Sequence, residues 1–324
     1  MKALIWCAVI LSLSLVFLPL LSLNLQTEAV PSQAVLKTEE KVPQKTQTEN
    51  AETFRVLDTQ TQKITEISLE DYLFGVLAAE MPVLYEPEAL KAQTVAAYTF
   101  ACRRKEANQN KDYDITSDHT VDQKFISPEV ARSCWGEKSE EYTKKLQDCI
   151  TAVQGHTVTY KGDLALTVYH AVSSGKTASA EEVWNSEIPY LCSVDSAADK
   201  LAKDYCSTVT FSKNEVAEKL SKIGEFSSNQ NKWFQNPVLS PSGRVQSIEI
   251  GDKTLTGEQI RNAFDLRSAN FSVENRNDQF TFTVLGYGHG VGLSQFGANE
   301  MAKGGSSYKE ILKHYYRGCE IGEK

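Results

Sequence analysis

The sequence has no surplus of basic charge: 34 Lys and Arg stand against 42 Asp and Glu, a formal net charge of −8. That argues against nucleic acid as the main partner, because phosphate binding needs a basic surface. There is no C-x-x-C pair, so a zinc ribbon has no support. His119, Cys134 and Cys149 lack the regular spacing of a zinc site. There is no G-x-S-x-G elbow for a serine hydrolase, and no internal repeat. Two glycine-containing stretches fall short of nucleotide motifs. "HAVSSGKT" (170–177) ends like a phosphate loop, but His170 stands where its first glycine belongs. "GYGHGVGLSQ" (286–295) follows a strand and opens a helix, yet Val291, Leu293 and Gln295 occupy the places where a dinucleotide fingerprint needs glycine.

What is present divides into three zones. Residues 3–25 carry no charge, a run long enough for the ~20 apolar residues that span a bilayer. With Lys2 on its N-terminal flank and only a poor cleavage site near Ala29, segment 1–25 reads as a single-pass membrane anchor, the rest lying outside the cytoplasm. Residues 26–52 are rich in Thr, Gln, Glu, Lys and Ser without apolar periodicity, and read as a disordered linker. Residues 53–324 read as one mixed helix and sheet domain of α+β class with lobes. Beyond the anchor stand six cysteines. Cys192 and Cys206 are spaced to close a loop in an exported protein, and buried thiols are the equal alternative.

Local signals place the elements. "FRVLDTQTQKITEISL" reads as a hairpin turning at Thr-Gln-Thr-Gln. Ser68 before Leu69-Glu70-Asp71 is a helix N-cap, and Pro82 stops that helix, leaving Glu80 at its end. Pro87 opens a second helix of about 20 residues, rich in alanine. Ser127-Pro128-Glu129 starts a third and 138–153 a fourth. Lys161-Gly162-Asp163 and Gly251-Asp252 mark hairpins, 213–224 is helical, Thr256-Gly257 leads into a helix carrying Arg261, and Tyr308–Tyr316 closes the chain.

Three polar clusters carry candidate chemistry. Glu80-Met81-Pro82, with Lys91 and Gln93, places a carboxyl at a helix end, where apolar walls would raise its pKa and let it donate a proton near neutrality. Tyr169-His170 through Ser173, Ser174, Gly175 and Thr177 is a polar turn after a strand, followed by Glu181 and Trp184. His289 is flanked by Gly286, Gly288, Gly290 and Gly292, and alternating glycines suggest backbone pressed close to a ligand.

Taken together, "EDYLFGVLAAEMPVLYEPEALKAQTVAAYTFA" (70–101), "YHAVSSGKTASAEEVWNSEIPYLCSVDS" (169–196), "GRVQSIEIG" (243–251), "LTGEQIRNAFDLRSANF" (255–271) and "GYGHGVGLSQFGANEMAKGGSSYKEILKHYY" (286–316) resemble the stage II sporulation protein D family. The likeness covers roughly residues 54–320. It implies a sporulation lytic transglycosylase anchored in the mother-cell membrane at the septum. Such a protein cuts peptidoglycan glycan strands already stripped of stem peptides, during engulfment. It implies two partners, the amidase stage II sporulation protein P and the membrane protein stage II sporulation protein M. The resemblance maps the catalytic glutamate onto Glu80 and glycan handling onto Lys91. It makes His170, Ser173, Ser174, Gly175 and Thr177 a groove-lining loop, with His289 and Gln295 on a second. Gln93 and Tyr169 join them as substrate-binding candidates. Tyr98 stands where many relatives have arginine, so Arg103 or Arg104 takes that role or the contact is absent. Some relatives carry a zinc site whose His/Cys spacing is not found here, so no metal or other cofactor is expected. The same domain also occurs in amidase enhancers, which leaves a non-catalytic, glycan-binding activator as the alternative.

Overall fold

A computed structural model describes residues 52–323 except His119. The expected anchor at 1–25 and all but the last residue of the expected linker at 26–52 lie outside the described residues. Among the described residues no helix is long and apolar enough to cross a membrane.

The chain opens with a hairpin, β1 (Thr53–Leu57) and β2 (Ile64–Ser68), paired antiparallel. α1 (Leu69–Glu80) follows directly, the Ser68 side chain accepting from the Asp71 N–H. Pro82 denies Met81 the helical region. Met81 turns extended at φ −129° and ψ 135°, and the helix ends on Glu80. α2 (Pro87–Ala107) then runs through the centre of the molecule, packed by α1 and by several later helices and strands. Its Ala89, Ala92, Ala96 and Ala101 have no exposed surface. Side chains that small let neighbouring helices approach closely, and Leu90 and Val95 fill what remains. Each fully buried aliphatic side chain of this kind contributes about 1.5–3 kcal/mol.

β3 (Ile115–Thr116) adds a parallel strand to β1. A loop then leads to α3 (Pro128–Trp135), capped by Ser127 as its sequence predicts, and α4 (Ser139–Ala152). β4 (His156–Tyr160) and β5 (Asp163–Leu164) form the expected hairpin, with Lys161 and Gly162 both at positive φ. The second strand is shorter than its sequence suggests. The chain continues extended to β6 (Tyr169–His170), and α5 (Ala180–Trp184) follows, ended by Asn185 in the left-handed region.

Residues 206–285 build a second layer. β7 (Cys206–Ser212), α6 (Lys213–Ser221), β8 (Trp233–Leu239), β9 (Val245–Ile250), β10 (Lys253–Leu255), α7 (Gly257–Phe264), β11 (Phe271–Arg276) and β12 (Gln279–Leu285) make two three-stranded antiparallel sheets. The chain then returns through β13 (Leu293–Ser294), α8 (Gln295–Lys303), α9 (Tyr308–Tyr315) and β14 (Glu320–Glu323), the last pairing with β4.

These elements form one compact unit with two separate apolar cores. The first gathers α1, α2, α4, α8 and α9 around Tyr72, Phe74, Leu77, Leu312 and Tyr315. The second lies wholly between Val216 and Val284, with Trp233, Phe234, Phe264, Phe280 and Phe282 at its centre. No disulfide joins the described cysteines, and Cys192 and Cys206 are both free thiols.

Candidate functional site

The site is assembled by two short strands. β6 and β13 pair in parallel, setting Tyr169 opposite Leu293 and His170 opposite Ser294. Residues 124 positions apart in the chain are thereby brought side by side, with His170 next to the loop of His289 and Gln295 at the first turn of α8.

The glycines of 286–292 explain how the two strands come so close. All four sit at positive φ, from +73° to +111°. A Cβ on Gly286 would lie 2.7 Å from the Val172 carbonyl oxygen, on Gly288 2.8 Å from the His170 Cβ, and on Gly292 2.1 Å from the Val168 carbonyl oxygen. Here the structure departs from the sequence reading. At these three positions the backbone is pressed against the strand carrying His170 rather than against a ligand.

The two histidines are neutral and their tautomers are fixed. The His170 Nδ1 donates to the Val291 carbonyl at 3.1 Å, so its Nε2 carries the lone pair. The His289 Nδ1 accepts the Val291 N–H at 3.1 Å, so its proton sits on Nε2. Burial first, then His289 and Arg244 nearby, pushes His170 down to about 3; burial first, then Arg261 and Arg244, pushes His289 down to about 4.

Glu80 arrives from the other side. One oxygen of its carboxylate accepts the Lys124 backbone N–H at 2.7 Å, which orients the group at the helix end. Its charge reaches the hydroxyls of Tyr72 and Tyr169, which burial first, then Asp122 and Glu80 for Tyr72 and Glu80 for Tyr169, hold well above the usual phenol value. Tyr72 donates to the Gln123 side chain at 3.0 Å. The Gln123 amide also lies close to the Tyr169 hydroxyl without reaching hydrogen-bond geometry. The Gln93 side chain faces Gln295, whose amide approaches its oxygen at 3.5 Å.

This region holds unmet polar capacity. Among the described residues, buried side-chain polar atoms without a hydrogen-bond partner include Gln123 Nε2 and the Tyr169 hydroxyl near Glu80, Gln93 Nε2 by Gln295, and His170 Nε2 on the face of β6 opposite to Tyr169. Each such atom costs about 1–3 kcal/mol, so each marks a place shaped for a polar ligand or for water.

Other candidates are placed elsewhere. Ser173, Ser174, Gly175 and Thr177 are committed to internal bonds. The Ser173 N–H donates to Asp199, and its hydroxyl accepts the Gly175 N–H. Ser174 donates to the Ser242 carbonyl in the second core's layer, and the Thr177 hydroxyl accepts from Val194. The recess between this loop and that layer is small, about 10 Å³. Lys91 pairs with Glu88 at 2.7 Å and neighbours Cys149 and Tyr308. Two residues along a helix turn through about 200°, so Lys91 and Gln93 face opposite sides. Tyr98 donates to Glu52, Arg103 to the Leu164 carbonyl, and Arg104 pairs with Asp122. Arg104 thus braces the loop that carries Gln123 and Lys124.

Sequence reasoning missed Asp199, Arg244 and Gln123. Asp199 is fully buried and accepts from the Ser173 N–H at 2.8 Å and the Ser294 hydroxyl at 2.9 Å, tying both loops together. Arg244 donates to the His289 carbonyl at 2.9 Å and pairs with Glu258 at 2.8 Å. It stands in the quoted stretch "GRVQSIEIG", which was the available signal. Among the described residues, no group of three or more His, Cys, Asp or Glu is placed to hold a metal ion.

Comparison with known proteins bears on this arrangement. A family model described as Stage II sporulation protein matches residues 57–160, and a domain of unknown function matches 205–292. The stage II sporulation proteins D of Bacillus amyloliquefaciens and Bacillus subtilis are each 38% identical over 271 residues, covering 83% of this chain and 78% of theirs. The chain belongs to the stage II sporulation protein D family. An amidase enhancer of Bacillus subtilis is 26% identical over 300 residues, covering 77% of this chain and 40% of that protein. In this sporulation family member the first match contains Glu80, Lys91 and Gln93. The second contains the whole of the second core and His289.

Proposed function

We propose that this chain is a peptidoglycan lytic transglycosylase. It would cut stem-peptide-free glycan strands between N-acetylmuramic acid and N-acetylglucosamine, leaving 1,6-anhydro ends, during engulfment in endospore formation. The observation that carries the reading is the placement of Glu80. An oriented carboxyl stands at a helix end near the buried, unpartnered Tyr169 hydroxyl and Gln123 amide.

The chemistry needs one carboxyl group. In its acid form Glu80 donates a proton to the glycosidic oxygen. The resulting carboxylate then takes the proton of the muramoyl C6 hydroxyl, which closes on C1 without water. An ordinary glycosidase needs a second carboxylate as nucleophile or base. Asp122, the other carboxylate whose charge reaches Tyr72, is bonded to Arg104 and to Thr116. The amides of Gln93 and Gln123 and the hydroxyl of Tyr169 supply donors for sugar oxygens, and His170 Nε2 supplies an acceptor. Fixed groups of this kind orient the sugar and stabilise charge as it develops.

The family resemblance adds that the domain acts outside the cytoplasm on an N-terminal anchor, with the amidase stage II sporulation protein P and the membrane protein stage II sporulation protein M. A second reading rests on the likeness to an amidase enhancer: the chain would bind glycan and activate an amidase without cutting. One experiment separates the two. The full chain and Glu80→Gln are incubated with stem-free strands, and the ends are read by mass spectrometry. Anhydro-muramic ends from the wild type alone support the transglycosylase. Reducing muramic ends mean hydrolysis and a second carboxylate. Strand binding without products supports the activator.

A further inference from the structure

Trp184 is the last residue of α5 and is not packed against either apolar core. It is 39% exposed, and its ring lies 5.7 Å from that of His289 at an interplanar angle of 47°. The His289 ring lies in turn 5.8 Å from that of His170. A row of three rings therefore leads from the buried, unpartnered His170 Nε2 out to a half-exposed indole. Each step is comparable with the passage from one pyranose to the next in a β-linked glycan.

The row is held in place at structural cost. Arg244, only 5% exposed, donates to the His289 carbonyl. Taking a guanidinium out of water is expensive unless it is paired, and Glu258 supplies that pairing. On α5, the Glu182 carboxylate accepts the hydroxyls of Ser240 and Ser242. Both members of the outer step, His289 and Trp184, are thus fixed by side chains of the second core's layer.

We propose that Trp184 and His289 form a sugar-binding platform, a subsite that takes a pyranose of the glycan strand beyond the unit held at His170. The inference rests on the transglycosylase or glycan-binding reading of the same site. Amino sugars in β-linked strands present apolar C–H faces with a polar rim. An indole offers a flat apolar body with one polar edge, which suits such a face. The Nε2 proton of His289 is directed to the Tyr169 backbone carbonyl, so its ring contributes a face rather than a donor. Glycan recognition thereby extends along the site, and Trp184 sets affinity for longer strands.

The test uses the full chain carrying Glu80→Gln, so that strands are bound and not cut. Stem-free glycan strands fractionated by length are titrated by calorimetry against this parent and against added Trp184→Ala or Trp184→Phe. Trp184→Ala is expected to weaken binding of long strands about tenfold and to leave the shortest fragments unchanged, while Trp184→Phe keeps most of the affinity. Tryptophan emission should shift when long strands are added to the parent, and the shift should vanish in Trp184→Phe. Unchanged affinity of Trp184→Ala for long strands, or an equal loss at every length, overturns the platform. Failure of the catalytic reading looks different: no anhydro ends from the wild type, with the length-dependent loss intact.

Discussion

Replacing Gly292 by alanine should be far more damaging than replacing Gly305, although both stand at positive φ, +73° and +92°. Side chains at such φ cost about 1–2 kcal/mol at either position. The surroundings then separate them. A Cβ on Gly305 meets nothing within 4 Å, whereas a Cβ on Gly292 would lie 2.1 Å from the Val168 carbonyl oxygen and 3.3 Å from the Tyr316 ring. That oxygen accepts the Leu293 N–H at 3.2 Å and the Tyr316 hydroxyl at 2.9 Å. To admit the methyl group the two backbones must part, with loss of both bonds at about 1 kcal/mol each. Gly292→Ala is therefore expected to lose about 3–4 kcal/mol and Gly305→Ala about 1–2 kcal/mol, read as midpoints in urea denaturation of the full chain. Equal losses would refute the argument that the alternating glycines exist for strand-to-strand approach. The original reading, backbone close to a ligand, would then regain its ground.

Two further predictions concern protons. The His170 imidazole, held at about 3, should show no titration between pH 5 and pH 8 when its ring resonances are followed by NMR. A group whose folded value is lowered destabilises the fold as pH drops below its unfolded value of about 6.5. His170 should thus remove on the order of 2 kcal/mol by pH 5, and His170→Gln should flatten that acid limb. Asp199 acts in the opposite sense. Burial outweighs its hydrogen bonds and raises its carboxyl above the ordinary value, so its contribution is full below about pH 4 and lost as pH rises through the folded value. The difference in stability between wild type and Asp199→Asn should therefore shift towards the variant between pH 4 and pH 7. A difference that does not change with pH would show that Asp199 keeps its ordinary carboxylate value.

Much of the fold was legible because its causes are local. Ser68 and Ser127 cap helices with their own side chains, Pro82 stops α1 and Pro87 opens α2, and each needs only its immediate neighbours to act. The same holds for the turns at Lys161-Gly162 and Gly251. The division into two cores was not legible, since strands and helices of both layers carry the same apolar alternation and nothing in the pattern says which faces meet. Glu80 was placed correctly at its helix end, but the Lys124 amide that orients it lies 44 residues away. Asp199 and Arg244 act through partners 14 to 95 positions distant. The glycine loop shows the limit most clearly. Alternating glycines announce close approach, and the sequence cannot say what approaches.

The second core's layer earns a physical explanation from these contacts. A lobe that merely decorated the first core would meet it through exposed polar groups, because burying a charge between lobes costs several kcal/mol before pairing. Here the buried guanidinium of Arg244 ends on the carbonyl of His289, and two serines end on the carboxylate of Glu182 in the helix that carries Trp184. Buried pairing of this sort is weak as a source of stability and strong as a source of position, since a displaced partner leaves a charge or a donor unmet. The layer therefore fixes where the His289 loop and α5 stand relative to β6. Glu80 comes from one matched segment, residues 57–160, and Arg244, Ser240 and Ser242, which hold the His289 loop and α5, from the other, residues 205–292. On the proposed reading, the first segment breaks the glycosidic bond and the second decides how much of the strand is held while it breaks.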